Sequence, residues 1–108
     1  MSDAEFLYLT TTGRRSGQGR QIEIWFTERD GRYYLVAEHG EQTGWVRNLR
    51  TDPRVLVRVD GREFAAHARV VDAATETGLR DDVRRRSQRK YGWGDGLVVE
   101  LSPGGDSR

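Results

Sequence analysis

The sequence predicts a mainly β protein, a small barrel or sandwich of about six antiparallel strands with one or two peripheral helices. Three observations lead there. Apolar residues recur mostly at every second position, the period of a strand with one buried face. Two Asp-Gly pairs, Asp30-Gly31 and Asp60-Gly61, each separate two such runs, and this dipeptide is the strongest short hairpin signal. The chain has 108 residues, 35% hydrophobic and 32% charged, which supplies one small core under a heavily solvated surface and predicts a single domain.

Taken in order, FLYLTT (6–11) reads as the first strand and RQIEIWFTE (20–28) as the second. The turn at Asp30-Gly31 leads into a third strand, RYYLVAE (32–38). In TGWVRNLRTD (43–52) Trp45, Val46 and Leu49 fall at helical spacing, with Thr43 as N-cap and Pro53 just past the end. PRVLVRVD (53–60) and REFAAHARVV (62–71) form the second hairpin, around Asp60-Gly61. Residues 72–90 read as a polar helix, with Asp72 or Thr75 near its cap and Leu79 and Val83 one turn apart. GLVVEL (96–101) is a final buried strand. Residues 1–5 and 102–108 read as flexible ends.

Charge and composition narrow the function. Eighteen basic and 17 acidic residues leave a formal net charge of +1, so no global field advertises nucleic acid as a partner. The basic run RRRSQRK (84–90) sits on a polar helix behind Asp81 and Asp82 and reads as a solvated face. With no cysteine, disulfides, zinc–cysteine sites and thiol catalysis are excluded. His39 and His67 are the only histidines and lie on different segments, so no metal site is expected. No apolar stretch spans a bilayer, and the expected location is cytoplasmic.

The stretch TTTGRRSGQGRQIEIW (10–25) stands out by placing three glycines and three arginines between two strands with no acid among them. Gly13, Gly17 and Gly19 permit positive φ and close backbone approach. Arg14, Arg15, Arg20, Ser16 and exposed amides are the groups that surround a phosphate or carboxylate. A plain flexible hairpin with solvated arginines is the alternative. The Gly-Lys-Ser/Thr ending of a Walker loop is missing.

LTTTGRRSGQGRQIEIWF, then GRYYLVAEHG, GWVRNLRTDPRVLVRV and KYG…GLVVEL, in that order over nearly the whole chain, resemble the deazaflavin-dependent nitroreductases, also described as F420-dependent quinone reductases. The resemblance implies a split β-barrel, of the kind that also binds FMN, and the deazaflavin coenzyme F420, with its phosphate and oligoglutamate tail, as cofactor. It implies that Arg14, Arg15, Ser16, Gly17 and Gln18 form the tail-binding loop and that Arg20 reaches the phosphate. Trp45, Asn48 and Leu49 match the family's Trp-x-x-Asn-Leu segment over the cofactor, and His39 stands close enough to contact a phosphate or ring carbonyl. Tyr91 and Trp93 fall in the segment that shapes the substrate pocket. The implied activity is hydride transfer from reduced F420 to a quinone, nitro compound or activated double bond. A non-catalytic flavin or tetrapyrrole binder and an interaction module are the alternatives. FMN is the alternative cofactor and pairing into a homodimer a further expectation.

Two positions near the expected cofactor depart from the family's pattern: Glu23 replaces a common proline, and Glu38, counted with the cofactor-binding residues, a small or hydroxylated residue. Centring the first hairpin on Asp30-Gly31 pairs Arg29 with Arg32, Trp25 with Val36 and Glu23 with Glu38. Facing carboxylates need a cation, a raised pKa or solvent, with Arg20 and Arg47 as candidate counter-charges. Glu23 or Glu38 is then a candidate proton donor, with Trp25 as an aromatic wall for a planar substrate. The alternatives are a wetted barrel exterior or a register slip.

Overall fold

The computed structural model describes residues 4–104. Its strands are β1 (Phe6–Thr12), β2 (Gly19–Trp25), β3 (Thr27–Arg29), β4 (Arg32–Ala37), β5 (Arg54–Val59), β6 (Arg62–Val70) and β7 (Leu97–Pro103), with helices α1 (Gly44–Thr51) and α2 (Thr77–Tyr91). All strand pairs are antiparallel in one sheet of order β2-β1-β5-β6-β7-β4-β3. β2 and β3 stand at opposite ends of that order yet are joined by Phe26 alone, so the sheet must curl until its two edges meet. The result is a half-barrel with a split between β2 and β4.

Alternation places the core. β1 turns Leu7, Leu9 and Thr11 inward, and β5 turns Val55, Val57 and Val59 inward while Arg54, Leu56 and Arg58 face solvent. β4 and β7 are buried on both faces. Tyr33, Leu35, Val99 and Leu101 fill the barrel, whereas Tyr34 and Val98 pack outward with Val83 of α2. Both Asp-Gly turns have positive φ at both residues, the primed geometry that matches strand twist: 54° and 77° at Asp30-Gly31, 54° and 73° at Asp60-Gly61. Arg29 faces Arg32, as the sequence predicts, and Val59 faces Arg62 across the second turn.

Four sequence expectations need correction. The predicted second strand is two strands. Phe26, 2% exposed, turns into the core, and its N–H and C=O are taken by α2 rather than by a neighbouring strand: Tyr91 Oη accepts from the N–H at 3.1 Å and Lys90 Nζ donates to the C=O at 2.9 Å. α2 begins at Thr77. Asp72 instead closes a preceding turn, its Oδ1 accepting from the Ala74 N–H at 2.9 Å. The basic run is largely a set of clamps, since Arg84 donates to the Gly96 carbonyl and Arg86 to Asp82 and the Glu28 carbonyl. Finally, the predicted loose ends are partly fastened. β7 continues through Ser102 and Pro103, paired with His67 and Ala66, and the Glu5 carbonyl accepts from the Tyr91 hydroxyl. Residues 1–3 and 105–108 of those predicted ends lie outside the described residues.

Candidate functional site

The arginine loop is built from backbone contacts. Gly13 N–H donates to Gln18 O at 2.7 Å, Gly17 N–H to Gly13 O at 2.8 Å, and Gln18 N–H to Ser16 Oγ at 3.1 Å. Gly17 alone of the three loop glycines takes positive φ, 73°. Gly13 sits in a tight spot, where an added Cβ would lie 2.8 Å from Ser16 Oγ and 3.2 Å from the Gln18 carbonyl oxygen, so a side chain there would push Ser16 aside.

Asn48, 7% exposed on α1, fastens this loop to the barrel. Its Oδ1 accepts from the Arg14 backbone N–H at 3.2 Å and from Arg14 Nη1 at 2.9 Å, while its Nδ2 donates to Thr11 Oγ1 at 3.2 Å. Asn48 therefore positions the loop, and Arg14 spends part of its donor capacity on the scaffold. The side chains of Arg15 and Arg20 are exposed and make no hydrogen bond or ion pair within the described residues. A groove of about 420 Å³ runs between them, lined also by Ser16, Gly44, Trp45 and Asn48. No carboxylate lines it. Two unpaired guanidiniums, a hydroxyl and an acid-free wall fit an anionic chain such as the phosphate and oligoglutamate tail of F420. Gly17 and Gln18 shape the loop without lining this groove.

A second hollow, of about 570 Å³, opens on the outer face where the sheet is split. β2 and the Phe26 corner supply Glu23, Trp25, Phe26 and Thr27. β4 and its end supply Tyr34, Val36, Glu38 and His39, and Ser87 and Trp93 close one side. Trp45 lines both this cleft and the arginine groove, which joins the two lobes. Two buried hydroxyls at the cleft, Thr27 Oγ1 and Thr43 Oγ1, have no hydrogen-bond partner. Thr43 thus holds the N-cap position of α1 without capping it.

The Glu23–Glu38 backbone pairing does not form. The first hairpin keeps its predicted register only as far as Thr27↔Tyr34, and β2 then pairs with β1, setting Glu23 opposite Tyr8 and Trp25 opposite Phe6. Both carboxylates nevertheless line the cleft, which is itself part of the barrel's exterior, and both are exposed. Neither has an ion-pair partner within the described residues; Arg20 lies in the other lobe and Arg47 is exposed on α1. Trp25 is 45% exposed and stacks on Tyr91, ring centroids 4.4 Å apart and planes 2° from parallel. Tyr91 stands behind Trp25 and does not line the cleft. His67 lies in β6, away from both lobes, and no cluster of metal-ligating side chains occurs among the described residues.

Sequence reasoning missed the corner at Phe26, the orphaned threonines and the reason for the glycines around Trp93. A Cβ on Gly96 would lie 2.5 Å from the Ala37 carbonyl oxygen, and one on Gly94 would collide with the Arg84 carbonyl. These close approaches set Trp93 against the barrel. The Gly-x-Gly-x-Gly spacing around that tryptophan was the available signal.

The fold is shared with solved structures of low identity. An F420-H2 dependent reductase (FDR-A) superposes with a TM-score of 0.74 at 21% identity, over 94% of this chain and 97% of that one. The haem storage protein HutZ from Vibrio cholerae gives 0.73 at 19%, over 94% and 82%. A conserved hypothetical protein from Mycobacterium tuberculosis gives 0.75 at 19%, over 94% and 74%. At such identities the likeness establishes the split-barrel fold. The family match goes further, since residues 1–95 fit the family described as F420H(2)-dependent quinone reductase. The chain therefore belongs to the F420H(2)-dependent quinone reductases, oxidoreductases for which the reduced deazaflavin F420 is the expected cofactor.

Proposed function

We propose that the protein catalyses the F420H2-dependent reduction of a planar organic acceptor, a quinone, nitro compound or activated double bond, held in the cleft at the split. The observation that carries this reading is the two-lobed site: an acid-free arginine groove and an aromatic cleft that share Trp45. The cofactor, when bound, supplies the hydride; the chain supplies position and electrostatics. Arg15 and Arg20 hold the anionic tail, Asn48 keeps the loop that carries Arg14 and Arg15 in place, and Trp45 packs where tail and ring regions meet. Trp25 and Trp93 flank the acceptor. Glu23 or Glu38 delivers the proton that accompanies the hydride.

Replacing Arg15 and Arg20 together by Ala tests the assignment, because both side chains are exposed and unpaired within the described residues. Affinity for F420 should fall at least tenfold and lose most of its salt dependence, while reduction of menadione at saturating F420H2 persists. Unchanged F420 affinity would remove the groove from the mechanism. The expected pairing of two copies has a candidate surface in exposed Leu56 on β5, 44% exposed, and analytical ultracentrifugation of Leu56→Glu tests it.

A further inference from the structure

We propose that the cleft is selective for planar organic cations, aromatic acceptors that carry a quaternary or protonated nitrogen and a second ring heteroatom able to accept a hydrogen bond. For turnover this rests on the reductase reading above; as a statement about binding it stands on the cleft itself.

All three tryptophans of the chain, Trp25, Trp45 and Trp93, line this one cleft. Their π faces attract a cation as well as a flat ring. Glu23 and Glu38 line it too, while no lysine or arginine among the described residues does. Several acids elsewhere are paired with arginines. Glu41 holds Arg50, Asp52 holds Arg54, Asp82 holds Arg29 and Arg86, and Glu76 and Glu100 share Arg69. The two cleft carboxylates have no such partner within the described residues. Lys90, the basic side chain at the Phe26 corner, is committed to the Phe26 carbonyl and lies over the Phe26 ring at 4.0 Å.

Thr27 supplies an independent pointer to a ligand. Its residue is 6% exposed, it lines the cleft, and its Oγ1 has no partner. A hydroxyl hidden from water without a hydrogen bond is costly, and a turn of the Thr27 side chain toward a ring heteroatom in the cleft would satisfy it. The site as a whole is then dipolar. Its arginine lobe takes an anionic chain, its acidic aromatic lobe takes a cation, and the two ligands attract each other across Trp45.

Three probes with the same fused rings test the charge rule: N-methylphenazinium, phenazine and phenazine-1-carboxylate, titrated into the protein alone at low salt and followed by quenching of tryptophan emission. The expected order is cation, neutral, anion, with at least tenfold between the extremes. Glu23→Gln and Glu38→Gln, both exposed and isosteric, should each cost the cation roughly threefold and the neutral ring almost nothing. Thr27→Val should weaken the cation and the neutral ring equally and leave their ratio unchanged. Equal affinities for the three probes, or a cation preference that survives both glutamine substitutions, would overturn the proposal. An unchanged affinity in Thr27→Val would overturn the hydrogen-bond anchor. F420 titrated into the same variants separates this idea from the reductase reading, because the arginine lobe is untouched: F420 binding without cation preference sinks only the former. Cation preference without F420 binding sinks only the latter.

Discussion

Asn48→Ala removes a side chain that joins β1, the arginine loop and α1. Three hydrogen bonds are lost: to the Arg14 N–H, to the Arg14 guanidinium and to Thr11 Oγ1. The guanidinium is exposed and rehydrates, so its loss costs little. The Arg14 N–H bond is part-buried and contributes about 1 kcal/mol. Thr11 is 1% exposed, so its abandoned hydroxyl costs a further 1–2 kcal/mol or about that. The sum is about 2–3 kcal/mol, which for a domain of this size lowers Tm by roughly 10 °C. Thermal unfolding by circular dichroism reads the stability, and an F420 titration below the lowered Tm reads the site, where affinity should fall about tenfold as the loop loses its shape. Thr11→Val should cost only about 1 kcal/mol, and the double variant should be less destabilised than the sum of the two singles. A Tm within 2 °C of wild type, or full F420 affinity in folded Asn48→Ala, would refute the idea that this residue organises the loop.

Other outcomes follow from the same contacts. Tyr91→Phe keeps the stack on Trp25 but strips the Phe26 N–H of its acceptor, and should destabilise by about 1–2 kcal/mol with little change in tryptophan emission; Tyr91→Ala should alter that emission as well. Hydrogen bonds from Arg69 hold the Glu76 carboxyl at about 2. Burial raises the Glu100 carboxyl, but hydrogen bonds from Arg69 and Tyr34 outweigh it and leave it below the usual range. Both folded values are depressed, so their contribution is complete above the ordinary value of 4.5 and is lost as pH falls toward about 2. Arg69→Gln should flatten that acid limb of the stability curve, and superimposable limbs would count against the network. Burial, aided by the hydrogen bond to Glu100, pushes the Tyr34 hydroxyl up to about 12, so ultraviolet titration should show one tyrosine ionising late. If Glu23 delivers the proton, Glu23→Gln should change the pH profile of turnover while F420 affinity stays put.

Much of this architecture was legible because it rests on local rules. Asp-Gly turns of positive φ fixed both hairpins and their starting registers. The alternation in RVLVRV sorted β5 into two faces, and Pro53 ended α1 where it should. The break at Phe26 was hidden because its cause is tertiary: the backbone groups that would continue a strand are satisfied by Lys90 and Tyr91, more than sixty residues away in the chain. That break also misplaced Glu23, which pattern reasoning set opposite Glu38 on a neighbouring strand. The two instead face a common cleft across a gap in the sheet. The arginine loop was readable as composition, but the division of labour within it was not. The contacts to Asn48 and the Gly44 carbonyl show that Arg14 is partly a scaffold residue, while the side chains of Arg15 and Arg20 stay unpaired within the described residues.

Reception of the anionic tail of F420 by the arginine groove is the central proposal. A fluorescence titration with oxidised F420, beside FMN, FAD and haem at low and moderate salt, tests this most directly. Saturable binding of F420 in preference to the other three, weakening as salt is raised, is the predicted result. Failure to bind F420, or tighter capture of haem or a flavin through a salt-insensitive contact, would contradict it.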